Sequence, residues 1–258
     1  MKYLKALGMA VGTFSIFPAP PMKWDDESRK YMIVFLPAAG ILTGAFFLLW
    51  HFLCVRASVP AVLFSAVSAV LPVLLTGGIH MDGFMDTWDA IGSHQTRERK
   101  LEIMKDSHAG AFAVMSAVIC LLLLYALYDA ACTVSVSSFP AVTAALGFVL
   151  SRALSGAGTI LLPNARGTGM LAHLQEGRGG KRMLPVLFGT AAVCVLFMIL
   201  ASLWSGIFAS ILAVGWFLFY CRFAVKTFGG ATGDTTGFCI VMTEFMILLG
   251  AVIGGLVH

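Results

Sequence analysis

Apolar residues run along this chain in long unbroken blocks, unlike the alternating or one-faced patterns of water-soluble strands and helices. A helix needs about 20 mostly apolar residues to cross a bilayer. Seven stretches qualify: residues 32–55, 59–79, 110–128, 139–162, 184–204, 206–225 and 238–257. Only Trp204-Ser205-Gly206 parts the fifth from the sixth, which predicts a tight antiparallel hairpin. The segment ahead of Pro18, Pro20 and Pro21 is too short to span and reads as an amphipathic helix at the membrane interface. One longer polar insert covers residues 80–109. The pattern predicts an all-α, polytopic membrane helix bundle. It has about seven transmembrane helices plus the N-terminal interfacial helix, in a single domain over residues 1–258.

Composition strengthens this reading. Hydrophobic residues make up 59%, charged residues 12%, and mean hydropathy is +0.90. Soluble domains carry about 25% charged residues, so an ordinary globular enzyme is excluded. Disorder, which needs low hydrophobicity and high charge, is excluded too. The net charge of +4 sits in loops flanking the spans, so nucleic acid is not expected as a partner. From the N-terminal segment through successive connections to the C-terminal tail, Lys and Arg number 5, 1, 4, 0, 4, 0, 2 and 0, with Arg152 alone inside a span. By the positive-inside rule the N-terminus is cytoplasmic and the C-terminus lies outside. The six cysteines show neither a CxxC pair nor zinc-ligand spacing and read as small buried hydrophobes.

The acids obey no such rule, so their placement is separate information. Of thirteen Asp and Glu, eleven fall on the cytoplasmic side of this topology, while Asp129 is outside and Glu244 intramembrane. Polar chemistry gathered on one face suits a cytoplasm-facing active site better than a through-membrane pathway. The densest cluster runs from Gly77-Gly78 through His80 to Asp89. Asp82, Asp86 and Asp89 stand at i, i+4 and i+7, one stripe of a helix. Three close carboxylates repel one another unless a hard cation joins them, and Mg²⁺ binds through one or two carboxylates plus substrate phosphates. A solvated helix end is the alternative.

Further along, Lys105 and Asp106 precede the third span. Asp106 could complete a metal shell and Lys105 meet a phosphate, or Asp106 and Ser107 could simply cap the helix. A Gly/Thr-rich turn, with Gly229, Gly230, Thr232, Gly233 and Asp234, opens the last span. It permits close backbone approach to an anion at a helix N-terminus. It is no Walker loop, since GK[ST] is absent. Arg152 within the fourth span is a functional hypothesis by default and could snorkel to the cytoplasmic site. Glu244 could pair with it or stay protonated.

Together, His80-x-Asp82-Gly83-x-x-Asp86-x-x-Asp89, Leu101-Glu102-Ile103-Met104-Lys105-Asp106-Ser107 and Gly229-Gly230-x-Thr232-Gly233-Asp234-Thr235 resemble the cobalamin 5′-phosphate synthase (adenosylcobinamide-GDP ribazoletransferase) family. The likeness extends to Phe17-Pro18-Ala19-Pro20, Pro37-x-x-Gly40-x-x-x-Gly44 and Ser151-Arg152. The sequence departs from the family at Ala90, where Gly is expected, and at Val241, where Glu is frequent.

The resemblance implies a Mg²⁺-dependent transferase of the bacterial or archaeal cytoplasmic (inner) membrane. The hydroxyl of α-ribazole, or of its 5′-phosphate, attacks the cobinamide-linked phosphorus of adenosylcobinamide-GDP and GMP leaves. It implies Asp82, Asp86, Lys105, Arg152 and Asp234 in catalysis, with Asp82, Asp86, Asp89 and Asp106 toward the metal. His80 and the Gly/Thr turn would contact substrate. Other cobalamin-assembly enzymes are candidate partners within the lipid bilayer. The rival readings are a CDP-alcohol-type phosphotransferase and a divalent-cation transporter. The first lacks support in its Asp-Gly-x-x-Ala-Arg run, since Met85-Asp86 stands where Ala-Arg would.

Overall fold

The apolar blocks form helices, the one spanning geometry that satisfies every backbone group within its own segment. The computed structural model describes residues 1–19, 25–132, 139–167 and 181–257. Pro20, Pro21, Lys23, Glu176 and Arg178 lie outside the described residues. In chain order the helices are α1 (Lys2–Phe14), α2 (Asp26–Arg29), α3 (Leu36–Arg56), α4 (Ala61–Leu75), α5 (Ile79–Gly92), α6 (Arg97–Ile103), α7 (Ala111–Ala131), α8 (Ala141–Leu161), α9 (Leu184–Ala201), α10 (Leu203–Phe228) and α11 (Gly233–Leu256). Among the described residues six segments are long and apolar enough to cross a membrane, and α4 with α5 makes a seventh if that bent pair is one span.

That pair corrects the straight span expected over 59–79. The helix breaks after Leu75, and α5 leaves at 93° to α4. Gly77 and Gly78 sit at φ +62° and +80°, left-handed conformations that side chains other than glycine's disfavour. The Thr76 hydroxyl donates to the Pro72 carbonyl at 2.7 Å and helps close the end of α4. The polar insert over 80–109 forms α5, which carries the expected helical Asp stripe, and α6.

Helix α8 is the central strut, packed by α3, α9 and α11. Its most apolar stretch is 89% buried, against 17% for α7. The sequence explains this, because α8 is built largely of Ala, Gly and Ser, which let helices approach closely in a membrane. The facing helix contributes glycines as well: a Cβ on Gly40 or Gly44 would meet the Phe148 or Ala145 carbonyl at 2.5 or 2.7 Å. Helix α7 turns Val118, Ile119, Leu122 and Leu123 outward, a surface suited to lipid. Only Ser202 separates α9 from α10, so the short connection forms ahead of the expected Trp204-Ser205-Gly206, which lie within α10.

The N-terminal helix is amphipathic as expected, burying Ala6, Met9 and Ala10, the last two in a cluster with Met32. It ends at Ser15, three residues before Pro18, where the Ser15 hydroxyl donates to the Val11 carbonyl at 2.6 Å. The next backbone amide, Ile16, donates to the Leu75 carbonyl at 2.9 Å and ties α1 to the α4–α5 break.

Candidate active site

Two glycines bring the acidic motifs together. A Cβ on Gly83 would lie 2.8 Å from the Asp234 carbonyl, and one on Gly237 would lie 2.9 Å from the His80 carbonyl. Only bare backbone lets α5 and α11 come this close, so the residue beside Gly83 in sequence, Asp82, reaches the start of α11. Gly83→Ala is expected to destabilise the protein by about 1–3 kcal/mol through overpacking. A lowered unfolding temperature in detergent checks this, and an unchanged one would mean the helices are not so closely apposed.

Between these helices opens a cavity of about 410 Å³. Asp82 and Asp234 line it, with Lys105, Asn164 and Arg166 among the other polar residues and Phe14, Ile33, Leu36 and Ile240 among the apolar ones. His80, Thr232 and Gly233 also line it. The His80 ring stacks on Phe14 at 6.0 Å. Asp86 does not line the cavity but interacts electrostatically with Asp82, Asp234, Asp89 and the Arg166 guanidinium.

Helix α11 begins with a capping box: the Thr232 hydroxyl accepts from the Thr235 amide, and the Thr235 hydroxyl accepts from the Thr232 amide. These reciprocal bonds satisfy two donors of the helix end and fix the turn that carries Asp234. Its carboxylate accepts from Arg166 Nη2 at 2.6 Å. The same Nη2 donates to the Met104 carbonyl at 3.2 Å, next to Lys105.

Other residues expected at the site stand elsewhere. Asp89 accepts from the Ala113 amide at 3.3 Å, and a Cβ on Gly110 would run into its carboxylate, so it sits at the N-terminus of α7. There it meets the positive end of the helix dipole. Asp106 faces His108, whose backbone amide and ring hold its carboxyl below the usual range. Gly229, at φ +79°, terminates α10 with the Arg97 guanidinium against it. Gly230 lets the chain cross the Pro163 carbonyl. Both serve the packing of the turn, and neither lines the cavity.

Arg152 also stays away from the cavity. It is 1% exposed, and its Nη1 donates to Glu244 of α11, to the Phe148 carbonyl at 3.1 Å and to Ser151 at 3.0 Å. The buried partner one helix away holds the guanidinium where snorkelling toward the cytoplasmic end was expected.

Among the nitrogen donors lining the cavity, Asn164 and Arg166 are those that sequence reasoning missed. In the sequence Arg166 stands only as one of the four cations in the connection after the fourth span. The available signal was a Pro163-Asn164-x-Arg166-Gly167 turn placed directly after a span. Asn164 bridges in parallel to Ala231, so this turn and the Gly/Thr turn are held side by side.

Comparison with known proteins bears on this arrangement. A model of the cobalamin-5-phosphate synthase family matches residues 6–252. The adenosylcobinamide-GDP ribazoletransferase of Lachnoclostridium phytofermentans is 34% identical over 254 residues, covering 98% of this chain and 95% of that protein. The protein of the same name from Clostridium perfringens is 33% identical over 253 residues, covering 97% and 99%. That from Pseudomonas savastanoi pv. phaseolicola is 34% identical over 235 residues, covering 89% and 90%. No solved structure matches the chain. With a family match spanning nearly its whole length and relatives aligned almost end to end, this chain belongs to the cobalamin-5-phosphate synthase family.

Proposed function

We propose that the protein transfers the adenosylcobinamide-phosphate group of adenosylcobinamide-GDP to α-ribazole or α-ribazole 5′-phosphate. The transfer releases GMP and yields adenosylcobalamin or its 5′-phosphate. The relatives' name supports the reaction. The observation that carries it is a cavity with carboxylates, Asp82 and Asp234, and nitrogen donors, Lys105, Asn164 and Arg166, on the same wall system. Phosphoryl transfer calls mainly for positioning and charge neutralisation, and such a cavity offers both.

The donor set suits Mg²⁺. Among the described residues no three His, Cys, Asp or Glu are gathered to hold a metal alone. Two carboxylates facing a substrate cavity are nonetheless what this ion uses together with phosphate oxygens. Asp82 and Asp234 would hold it, with Asp86 behind them. When bound, Mg²⁺ would supply charge neutralisation between the acids and the diphosphate and polarise the phosphoryl oxygens. Lys105 binds phosphate as a mobile point charge. The apolar wall of Phe14, Ile33, Leu36 and Ile240 limits water, which favours the acceptor hydroxyl over hydrolysis.

Nucleotide release separates this reading from the CDP-alcohol one. Purified protein should liberate GMP from adenosylcobinamide-GDP and no CMP from a CDP-alcohol. Liposomes that moved Mg²⁺ with no nucleotide turned over would instead favour a transporter.

Membership of this family supports placing the protein in the cytoplasmic membrane, and the Lys/Arg alternation supports a cytoplasm-facing site. The segments around Asp82, Lys105, Arg166 and Asp234 all fall on that side of the topology, which agrees with their meeting in one cavity. A C-terminal reporter should be active outside the cytoplasm, and cysteine labels at residues 95–100 should react only from the cytoplasmic side. A cytoplasmic C-terminus would break this topology.

A further inference from the structure

The turn over residues 163–167 is fixed in backbone and underused in side chain. The Ala165 amide donates to the Ala231 carbonyl at 3.0 Å, and the Ala231 amide to the Pro163 carbonyl at 2.8 Å. The Asn164 side-chain oxygen, Oδ1, accepts from the Arg166 and Gly167 amides at 2.9 and 3.1 Å. Its other end, Nδ2, has no hydrogen-bond partner among the described residues, and the same holds for Arg166 Nε. Buried N–H groups without partners are destabilising, yet both belong to residues lining the cavity beside Lys105. Neither nitrogen is open to the cavity as the side chains stand, so a ligand rich in acceptor oxygens would engage them once the side chains turn toward it, and the planar guanidinium fork matches phosphate oxygens two at a time.

Arg166 is meanwhile engaged by Asp234 at 2.6 Å. A carboxylate beside a diphosphate repels it, so the two acidic partners compete for one guanidinium. We propose that Asn164 and Arg166, together with Lys105, form the diphosphate-binding element of the site, and that the Arg166–Asp234 ion pair is a lock opened when cation and diphosphate enter together. Asp234 then turns to the cation and Arg166 to the phosphates. The identity of the diphosphate, a nucleoside diphosphate, rests on the transferase reading; the lock itself does not.

The lock predicts a gain of binding from loss of an acid. GDP binding to detergent-purified protein is measured by calorimetry, in EDTA and with Mg²⁺, for wild type, Asp234→Asn and Arg166→Gln. In EDTA, Asp234→Asn should bind GDP about tenfold more tightly than wild type, the size of one charge-assisted hydrogen bond. Arg166→Gln should bind about tenfold more weakly with Mg²⁺, where the lock is open, and no more tightly than wild type in EDTA. If Asp234→Asn showed no gain in EDTA, the lock would be refuted. If Arg166→Gln bound GDP like wild type with Mg²⁺, the diphosphate role would be refuted. Should Arg166→Gln unfold, Arg166→Lys carries the same test, since it keeps the charge that answers Asp234 and loses the fork: weaker GDP binding supports the role, and unchanged binding overturns it. GMP release by wild type in the same preparation reports separately on the transferase reading. Its absence alongside normal GDP effects would overturn that reading and leave the lock standing.

Discussion

Replacing Asp82 or Asp86 by Asn should lower GMP release by at least about 100-fold, the low end of what one preorganised electrostatic group contributes. Asp82 lines the cavity, and Asp86 lies within electrostatic range of Asp82 and Asp234. Asn keeps the shape and removes the charge that a cation would answer. Because the acids repel one another in the metal-free protein, neither substitution should harm folding, and the unfolding temperature should hold or rise. The loss is therefore predicted to be catalytic, with the Mg²⁺ requirement shifted upward. Near wild-type turnover of either variant at limiting Mg²⁺ would remove that residue from the metal site. Asp89→Asn and Asp106→Asn should do far less, because their carboxylates answer the α7 terminus and His108.

The second large effect is on stability. Arg152 and Glu244 pair deep between α8 and α11, with side chains 1% and 14% exposed. Removing one partner of a buried pair costs about 3–5 kcal/mol, because the other charge is left uncompensated. The two single variants should differ. A carboxylate left alone can neutralise itself by taking a proton, whereas a guanidinium cannot. Glu244→Leu should therefore lower the unfolding temperature more than Arg152→Met, and the double variant should recover most of the loss. The check is thermal unfolding of all three in one detergent. If Glu244→Leu were as stable as wild type, the ion pair would not be what holds Arg152 in the bundle.

The spans were legible because membrane hydropathy acts residue by residue: α3, α7, α8, α10 and α11 lie within a few residues of the apolar blocks. The break between α4 and α5 was not, since an apolar count ignores the left-handed backbone that Gly77 and Gly78 impose. At the site, the i, i+4, i+7 spacing marked one stripe on α5 but not its neighbours. Asp82 faces α11, while Asp89, two turns on, meets the start of α7. Arg152 stood out as an intramembrane charge and Glu244 as one candidate partner, but with 92 residues between them only the packing of α8 on α11 decides that they pair. Arg166 was hidden for another reason, because a cation just after a span is also what the positive-inside rule requires there.

The central claim is that this cavity breaks the bond between the two phosphates of adenosylcobinamide-GDP and passes the cobinamide-linked phosphate to an α-ribazole hydroxyl. The most direct measurement incubates detergent-purified protein with adenosylcobinamide-GDP and either α-ribazole or its 5′-phosphate, with Mg²⁺ or with EDTA, and quantifies nucleotide and corrinoid products by mass spectrometry. The predicted result is GMP and the matching cobalamin product in equal amounts, with neither formed in EDTA or without acceptor. Release of GDP, release of GMP with no acceptor present, or no turnover under any of these conditions would contradict the account.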